Sequence, residues 1–255
     1  MIYGKQKKIT VLIPCYNEGE GIGDVIRKFP MDKITAANYS LEIVIIDNAS
    51  TDRTGEIARS LGATVLYEPK KGKGNAMRKG FYSISEDTDF VVMLDGDDTY
   101  RSEEILRLVE PLDSCFCNVV IGSRLFGRIQ PGSMTSFNRF GNLIFSLLVR
   151  LIYKVKVTDV LTGYFAWKRD AILRLRPHLK SEGFAIEMEM VTKMARMKEE
   201  ICCIPISYEV RAGKANLRPI YDGIRILWMF TKNLYWKPLL NKKVKQSLVM
   251  KTELD

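Results

Sequence analysis

Histidine is all but missing: the 255-residue chain has one, His178. A His-rich metal centre is therefore excluded, and a Ser-His-Asp triad would rest on a side chain next to Pro177 in a predicted loop. His178 reads as a surface residue. Cysteine is sparse as well. Cys15, Cys115, Cys117, Cys202 and Cys203 lie at spacings that match neither a zinc site nor a disulfide framework. An odd count without a signal peptide points to a reducing cytoplasm. Long apolar runs are also lacking. The best candidate, residues 140–153, contains Arg150, is flanked by Arg139 and Lys154, and falls short of the roughly 20 residues that span a bilayer. The chain is expected not to cross a membrane by itself, although it can lie on one. There is no low-complexity tract and no internal repeat.

What is present begins with charge. Lys and Arg outnumber Asp and Glu for a net charge of +9. That balance favours anionic partners: nucleotides, phosphorylated substrates or an anionic membrane surface. Nucleic acid is not expected, because no nucleic-acid-binding module is recognisable. The length suits one α/β domain or a domain with an appendage.

The most informative run is Asp95-Gly96-Asp97-Asp98, directly after the apolar Phe90-Val91-Val92-Met93-Leu94. Side chains at i and i+2 of an extended chain share a face, so Asp95 and Asp97 can converge while Asp98 points elsewhere. Paired hard oxygen ligands suit Mg²⁺ or Mn²⁺ carrying phosphate oxygens. The pattern around this run alternates. Strands are predicted over 9–14, 41–47, 64–67, 89–94 and 118–122, with helices over 21–29, 51–61 (closed by Gly62) and 75–84, and one capped by Ser102. Continuous apolar strands alternating with helices imply a doubly wound, mainly parallel sheet, whose ligands sit beyond the carboxyl ends of the strands. Those ends carry Tyr16-Asn17-Glu18, Asp47 and Asp95-Gly96-Asp97. Beyond residue 125 the pattern predicts an amphipathic helix over 137–153, a short strand over 162–167, a helix over 183–197, an extended segment over 201–211 and an aromatic amphipathic helix over 220–236. Residues 237–255, with Lys242, Lys243 and Lys245, read as a basic peripheral tail.

Taken in order, these motifs resemble family 2 glycosyltransferases. Val11-Leu12-Ile13-Pro14-Cys15-Tyr16-Asn17-Glu18 is similar to the family's opening strand, and residues 47–54 to its D-x-S-x-D-x-T loop. Gly72-Lys73-Gly74-Asn75-Ala76 resembles its G-x-G-x-A helix start, Asp95-Gly96-Asp97 its metal motif, and Gly122-Ser123-Arg124 the following strand end. The second half resembles the branch that loads sugars onto polyprenyl phosphates, such as dolichyl-phosphate mannose synthase. The residues that carry this are Asn138-Arg139-Phe140-Gly141-Asn142, the 158–164 run with Asp159, Gly183-Phe184-Ala185-Ile186-Glu187 and Tyr208-Glu209-Val210-Arg211.

The resemblance implies a GT-A fold over residues 1–236, with a nucleotide-sugar half over about 1–125 and an acceptor half over about 126–236. It implies a UDP- or GDP-sugar donor and Mg²⁺ or Mn²⁺ at Asp95 and Asp97. Pro14, Tyr16, Glu18, Asp47, Lys73, Asp95 and Gly96 would hold the donor. Arg124, Arg139, Asp159, Glu187, Arg211 and Lys214 would serve phosphates or acceptor, with Asp97, Arg124 and Arg139 nearest the chemistry. After Arg211 the chain is one residue shorter than the family pattern, which leaves open whether Lys214 replaces the usual lysine. The acceptor implied is a dolichyl or undecaprenyl phosphate, met at the cytoplasmic face by peripheral attachment or through a membrane-protein partner. Inversion at the anomeric carbon follows from the family.

The residues agree with that chemistry. A phosphate monoester is mostly dianionic at neutral pH, with a second pKa of about 6, so it needs cationic positioning rather than a general base. Arg139, Arg150, Lys154, Lys156, Arg211 and Lys214 lie near amphipathic segments. Several features stay ambiguous in sequence. Phe140, Ile144, Phe145 and Leu148 suit either a core or a lipid-facing stripe. Trp228, Phe230, Tyr235 and Trp236 suit either an interfacial helix or packing. Lys70, Lys71 and Lys73 suit either a solvated turn or a phosphate loop. The alternative function is a family 2 enzyme extending a saccharide at a hydroxyl acceptor; the Q-x-x-R-W signature of processive synthases is absent. A nucleotidyltransferase would need a G-x-G-T-R-like loop where Cys15 to Gly19 stands, and a non-catalytic scaffold would not need Asp95 and Asp97.

Overall fold

A computed structural model of the protein describes residues 5–213 and 218–238. Lys214 and the basic tail beyond residue 238 lie outside the described residues. The first half runs β1 (Lys7–Cys15), α1 (Ile22–Arg27), α2 (Met31–Ala36), β2 (Tyr39–Asp47), α3 (Thr54–Ser60), β3 (Thr64–Tyr67), α4 (Lys73–Tyr82), β4 (Phe90–Met93) and α5 (Ile105–Asp113). The second half adds β5 (Val119–Ile129), α6 (Ser136–Tyr153), β6 (Phe165–Lys168), α7 (Arg169–Leu175), α8 (Ile186–Arg196), β7 (Ile201–Tyr208) and α9 (Pro219–Leu234).

One seven-stranded sheet takes all of these strands in the order β3-β2-β1-β4-β6-β5-β7. Every neighbouring pair is parallel except the two made by β6, which runs antiparallel between β4 and β5. The strands are apolar on both sides because both faces are covered. Leu12, Val91 and Met93 pack with Phe165 and Trp167 under α4, α6 and α8, while Val11, Ile13 and Val92 join the opposite layer with Val25 and Leu108. This period of two over buried strands is the signature of a helix-covered sheet.

Several local expectations are corrected. α2 and α7 are short and buried through few residues, Ile34 in the first and Ala171, Ile172 and Leu175 in the second, so neither carries enough periodicity to be read. The strand expected over 162–167 starts at Phe165, because residues 162–164 bend past Asp95; a Cβ on Gly163 would collide with the Asp95 carboxylate. Ser102 does not cap a helix: its hydroxyl donates to the Val25 carbonyl at 3.0 Å, and α5 begins at Ile105. The Asp95–Asp98 run is bent rather than extended, with Asp98 at φ 61° and paired to Lys28 at 2.5 Å.

α6 is amphipathic the wrong way round for a soluble helix. It turns Asn142, Ser146, Val149 and Tyr153 inward, while Phe140 is 64% exposed and Phe137, Leu143, Leu147 and Leu151 are exposed beside it. The inward polar groups are used: Asn142 donates to Asp159, and the Ser146 hydroxyl accepts from the Val160 N–H at 3.0 Å. α9 also shows solvent an apolar side, with Ile220, Ile224, Leu227 and Trp228 exposed. Of the ambiguous stripe, Phe140 and Ile144 face outward while Phe145 and Leu148 pack on the core. Phe230 is buried, and Trp236 packs edge-on against His178 at 5.2 Å. Among the described residues, no helix is long and apolar enough to cross a membrane.

Candidate active site

The chain leaves β1, β2 and β4 at the same end of the sheet, and each exit contains one residue in the left-handed region: Asn17 (φ 55°), Ala49 (φ 59°) and Asp98 (φ 61°). These sharp exits are tied together. The Glu18 N–H donates to Thr54 Oγ1 at 2.9 Å, the Gly19 N–H to Asp52 at 2.9 Å, and the Thr51 N–H to Asn17 Oδ1 at 2.7 Å. Asn48 donates to the Lys70 carbonyl at 2.7 Å and accepts from the Gly72 N–H at 2.6 Å, which holds the basic loop over the strand ends. Gly72 sits at φ +124°, and a Cβ there would meet the Glu182 carbonyl, so the loop closes directly onto the chain before α8.

These ties enclose a cavity of about 290 Å³ lined by Pro14, Tyr16, Glu18, Asn48, Lys71, Lys73, Asp95, Gly96, Asp97, Phe184 and Arg211. Two cations bridge its acids. Lys73 Nζ lies 2.6 Å from Asp95 and 2.7 Å from Glu187. Arg211 lies 2.6 Å from Glu18 and 3.0 Å from Asp97. Asp97 also accepts from the Thr99 N–H at 3.1 Å and its hydroxyl at 2.5 Å. Four acids, Glu18, Asp95, Asp97 and Glu187, are crowded together here with Lys73 and Arg211 between them and Lys71 at the lining. Burial and the nearby Asp95 hold the Asp97 carboxyl above its usual range in spite of Arg211. Burial likewise raises Glu187 against the pull of Lys73. Burial disfavours a charged Lys73, but Asp95 and Glu187 outweigh it and keep the ammonium protonated.

The donor set fits a hard divalent cation. Asp95 and Asp97 offer carboxylate oxygens at one end of the cavity, where Lys73 and Arg211 pair with them. Among the described residues, no group of three or more His, Cys, Asp or Glu side chains could hold a metal alone. An ion here would need oxygens from a bound substrate. Arg211 Nε is buried without a hydrogen-bond partner among the described residues, a donor free for an anionic ligand.

Glu18 gives a pH signature. Its burial, with Asp97 and Asp95 close by, pushes the carboxyl up to about 8 from 4.5, against Arg211. The folded protein therefore holds a proton between these values that the unfolded chain does not. Its contribution to stability is full below about 4.5 and declines as pH rises through 8. Thermal unfolding of the ligand-free protein should show that decline, and Glu18→Gln should flatten it. An unchanged slope in the variant would assign the decline to another group.

Other expected site residues lie elsewhere. Arg124 and Asp159 form a buried pair, bidentate at 2.8 and 2.9 Å, and Asp159 also accepts from the Arg124 N–H at 2.8 Å. Arg124 donates to the Leu161 carbonyl at 2.7 Å and lies over the Tyr208 ring. Arg124, held by this pairing, floors a second groove of about 250 Å³ between α6 and α9, lined by Asn138, Phe145, Tyr208 and Ile226. Asp47 stands at the end of β2, where it accepts from the Ser50 N–H at 3.0 Å; it does not line the first cavity. Arg139 is exposed on α6 and lines neither space. Asn48 and Phe184 join the cavity without having been singled out, and Lys71, left open in sequence between a solvated turn and a phosphate loop, lines it too. Lys71, itself exposed, reaches the Tyr16 hydroxyl at 2.8 Å, whereas Lys70 does not line the cavity, so the basic loop divides its roles residue by residue.

Comparison with known proteins points one way. Residues 10–176 match Glycosyl transferase family 2. The chain is 35% identical over 217 residues to glycosyltransferase AglJ of Haloferax volcanii, covering 84% of this chain and 68% of that protein. It is 31% identical over 218 residues to the dolichyl-phosphate hexose transferase of the same organism, covering 86% and 90%. Dolichol-phosphate mannosyltransferase of Pyrococcus furiosus is 29% identical over 255 residues, covering 95% and 68%. Among solved structures, glucosyl-3-phosphoglycerate synthase from Mycobacterium tuberculosis, in complex with Mn²⁺, UDP and glucosyl-3-phosphoglycerate, superposes with a TM-score of 0.69. That match has 21% identity and covers 89% of this chain and 80% of the other.

Proposed function

Because the chain belongs to glycosyl transferase family 2 and shares the GT-A fold of solved sugar-transferring enzymes, we propose that it moves a sugar from a nucleoside-diphosphate sugar to a polyprenyl phosphate, with inversion, at a membrane surface. The observation that carries this reading is the reversed amphipathicity of α6. A helix that buries Asn142 and Ser146 while exposing Phe140, Leu147 and Leu151 is built to meet something apolar. The groove floored by Arg124 lies between this helix and α9, which is apolar outward as well. A phosphate on a long hydrocarbon chain fits that combination. Relatives named for transfer to dolichyl phosphate support the same class of acceptor.

In this reading the first cavity takes the donor. Tyr16, Glu18 and Asn48 border the nucleoside end, and Lys73 and Arg211 face the diphosphate. A divalent ion at Asp95 and Asp97, consistent with the Mn²⁺ and UDP bound by the mycobacterial fold relative, would supply charge neutralisation as the leaving diphosphate forms. Lys73 and Arg211 add fixed positive charge in a site of low dielectric. Asp159 and Asn142 orient Arg124 toward the acceptor groove. The acceptor phosphate is already the nucleophile, so no side chain need remove a proton. Asp159, whose oxygens are occupied by Arg124 and Asn142, is poorly placed to act as the base a hydroxyl acceptor would require.

Acceptor chain length tests this. A long-chain polyprenyl phosphate in vesicles should be used far better than a short, water-soluble prenyl phosphate. The double variant Phe140→Ser/Leu147→Ser should raise KM for the long acceptor by about a hundredfold or more, since each buried side chain contributes about 1.5–3 kcal/mol, and leave the short one unchanged. Equal use of both acceptors, or preference for a free sugar hydroxyl, would replace this function with saccharide extension.

A further inference from the structure

On the side of α9 away from the acceptor groove lies another hollow, of about 430 Å³, between α9 and the chain leading into α8. Lys180, Arg225 and Lys232 stand around it, with Glu182 as the one acid in its lining among the described residues. Trp228 and Ile224 border it, 58% and 65% exposed, and both belong to the outward apolar side of α9. Lys232 lies over the Trp228 ring at 4.5 Å, and Arg225 over Tyr221 at 5.4 Å. Two of the three cations are thus held over aromatic faces, their apolar stems beside the outward side of α9.

We propose that this hollow binds the phosphate headgroup of an anionic phospholipid of the membrane itself, so that the protein docks selectively on anionic bilayers with α9 at the interface. The inference rests on the membrane-surface reading above and deepens it. Charge complementarity selects the occupant. A neutral headgroup would leave Lys180, Arg225 and Lys232 without an anion, and a soluble anion would leave Trp228 and Ile224 in water. Basic residues at an anionic leaflet and aromatic residues at headgroup depth are a favourable pairing. The position also separates tasks: α9 holds the bulk lipid on one side and borders the acceptor groove on the other, with Ile226 and Gly223 facing that groove.

Vesicle flotation of the full chain without substrates tests this, using phosphatidylcholine alone and phosphatidylcholine with about one-third phosphatidylglycerol. The three cations together should favour the anionic vesicles on the order of a hundredfold. The variant Lys180→Gln/Arg225→Gln/Lys232→Gln should lose most of that preference while keeping its melting temperature. A variant with the same charge change at exposed positions elsewhere, Lys33→Gln/Arg59→Gln/Lys79→Gln, should keep it. Equal loss in both variants would reduce the effect to net charge and overturn the site. Equal capture by both vesicle types would overturn anionic selectivity while leaving membrane docking intact. Capture by neither would overturn this inference together with the membrane-surface reading.

Discussion

Asp97→Asn should lose sugar transfer by about 10²–10³-fold, the cost of removing one preorganised electrostatic group from a reacting centre, while its melting temperature does not fall. The two halves of this expectation have one cause. In the ligand-free protein the Asp97 carboxylate is buried beside Asp95, and its charge costs more than Arg211 and Thr99 return. An amide keeps the shape and removes that cost, so folding does not suffer. The same charge is what the site needs when a cation and a diphosphate arrive. A site tuned for function at the expense of stability is the general pattern for buried like-charged pairs. Activity and melting temperature measured on the same preparation check it. A variant that loses both would make Asp97 a structural residue.

Asp159→Ala should act in the opposite way, on the fold. Asp159 is fully buried and accepts from the Arg124 side chain, the Arg124 N–H and Asn142. Removing it strands a buried guanidinium, a loss of about 3–5 kcal/mol, or roughly 6–20 °C in melting temperature for a chain of this size. Replacing the pair together, Asp159→Leu with Arg124→Met, should restore most of that stability, because the uncompensated charge is gone. If Arg124 serves only Asp159, the double variant will also be active. Proposed contact with the acceptor phosphate predicts a stable protein with raised KM for the polyprenyl phosphate.

The parts of this molecule that were legible in sequence are local ones. The apolar runs of β1, β2 and β4 announce buried strands, and the acids at their ends announce where ligands gather, because strand direction and chain order bring those ends together. The doubly wound, mainly parallel sheet followed from that repetition, and the GT-A assignment from the motif resemblance. Contacts across long separations were not legible. Lys73 meets Glu187, and Arg211 meets Glu18 across 193 positions, through the closure of the loop before α8 and the exit of β7 over the cavity. Periodicity in α6 established that it has two faces but not which one is buried; Asp159 decides that by drawing Asn142 inward. Asp47 was marked by its place at a strand end and in a motif, and Arg139 by its motif and the amphipathic helix beside it. The structure places Asp47 against its own loop and Arg139 in solvent, and neither borders the donor cavity or the acceptor groove.

The most direct test of the central claim is transfer of label from a panel of UDP- and GDP-sugars into organic-extractable polyprenyl phosphate, with Mg²⁺ or Mn²⁺ and then with excess chelator. The account predicts label in the lipid phase from one donor class, lost with chelator and in Asp97→Asn. Label that stays in the aqueous phase, with donor consumed only when a soluble sugar is added, would contradict it.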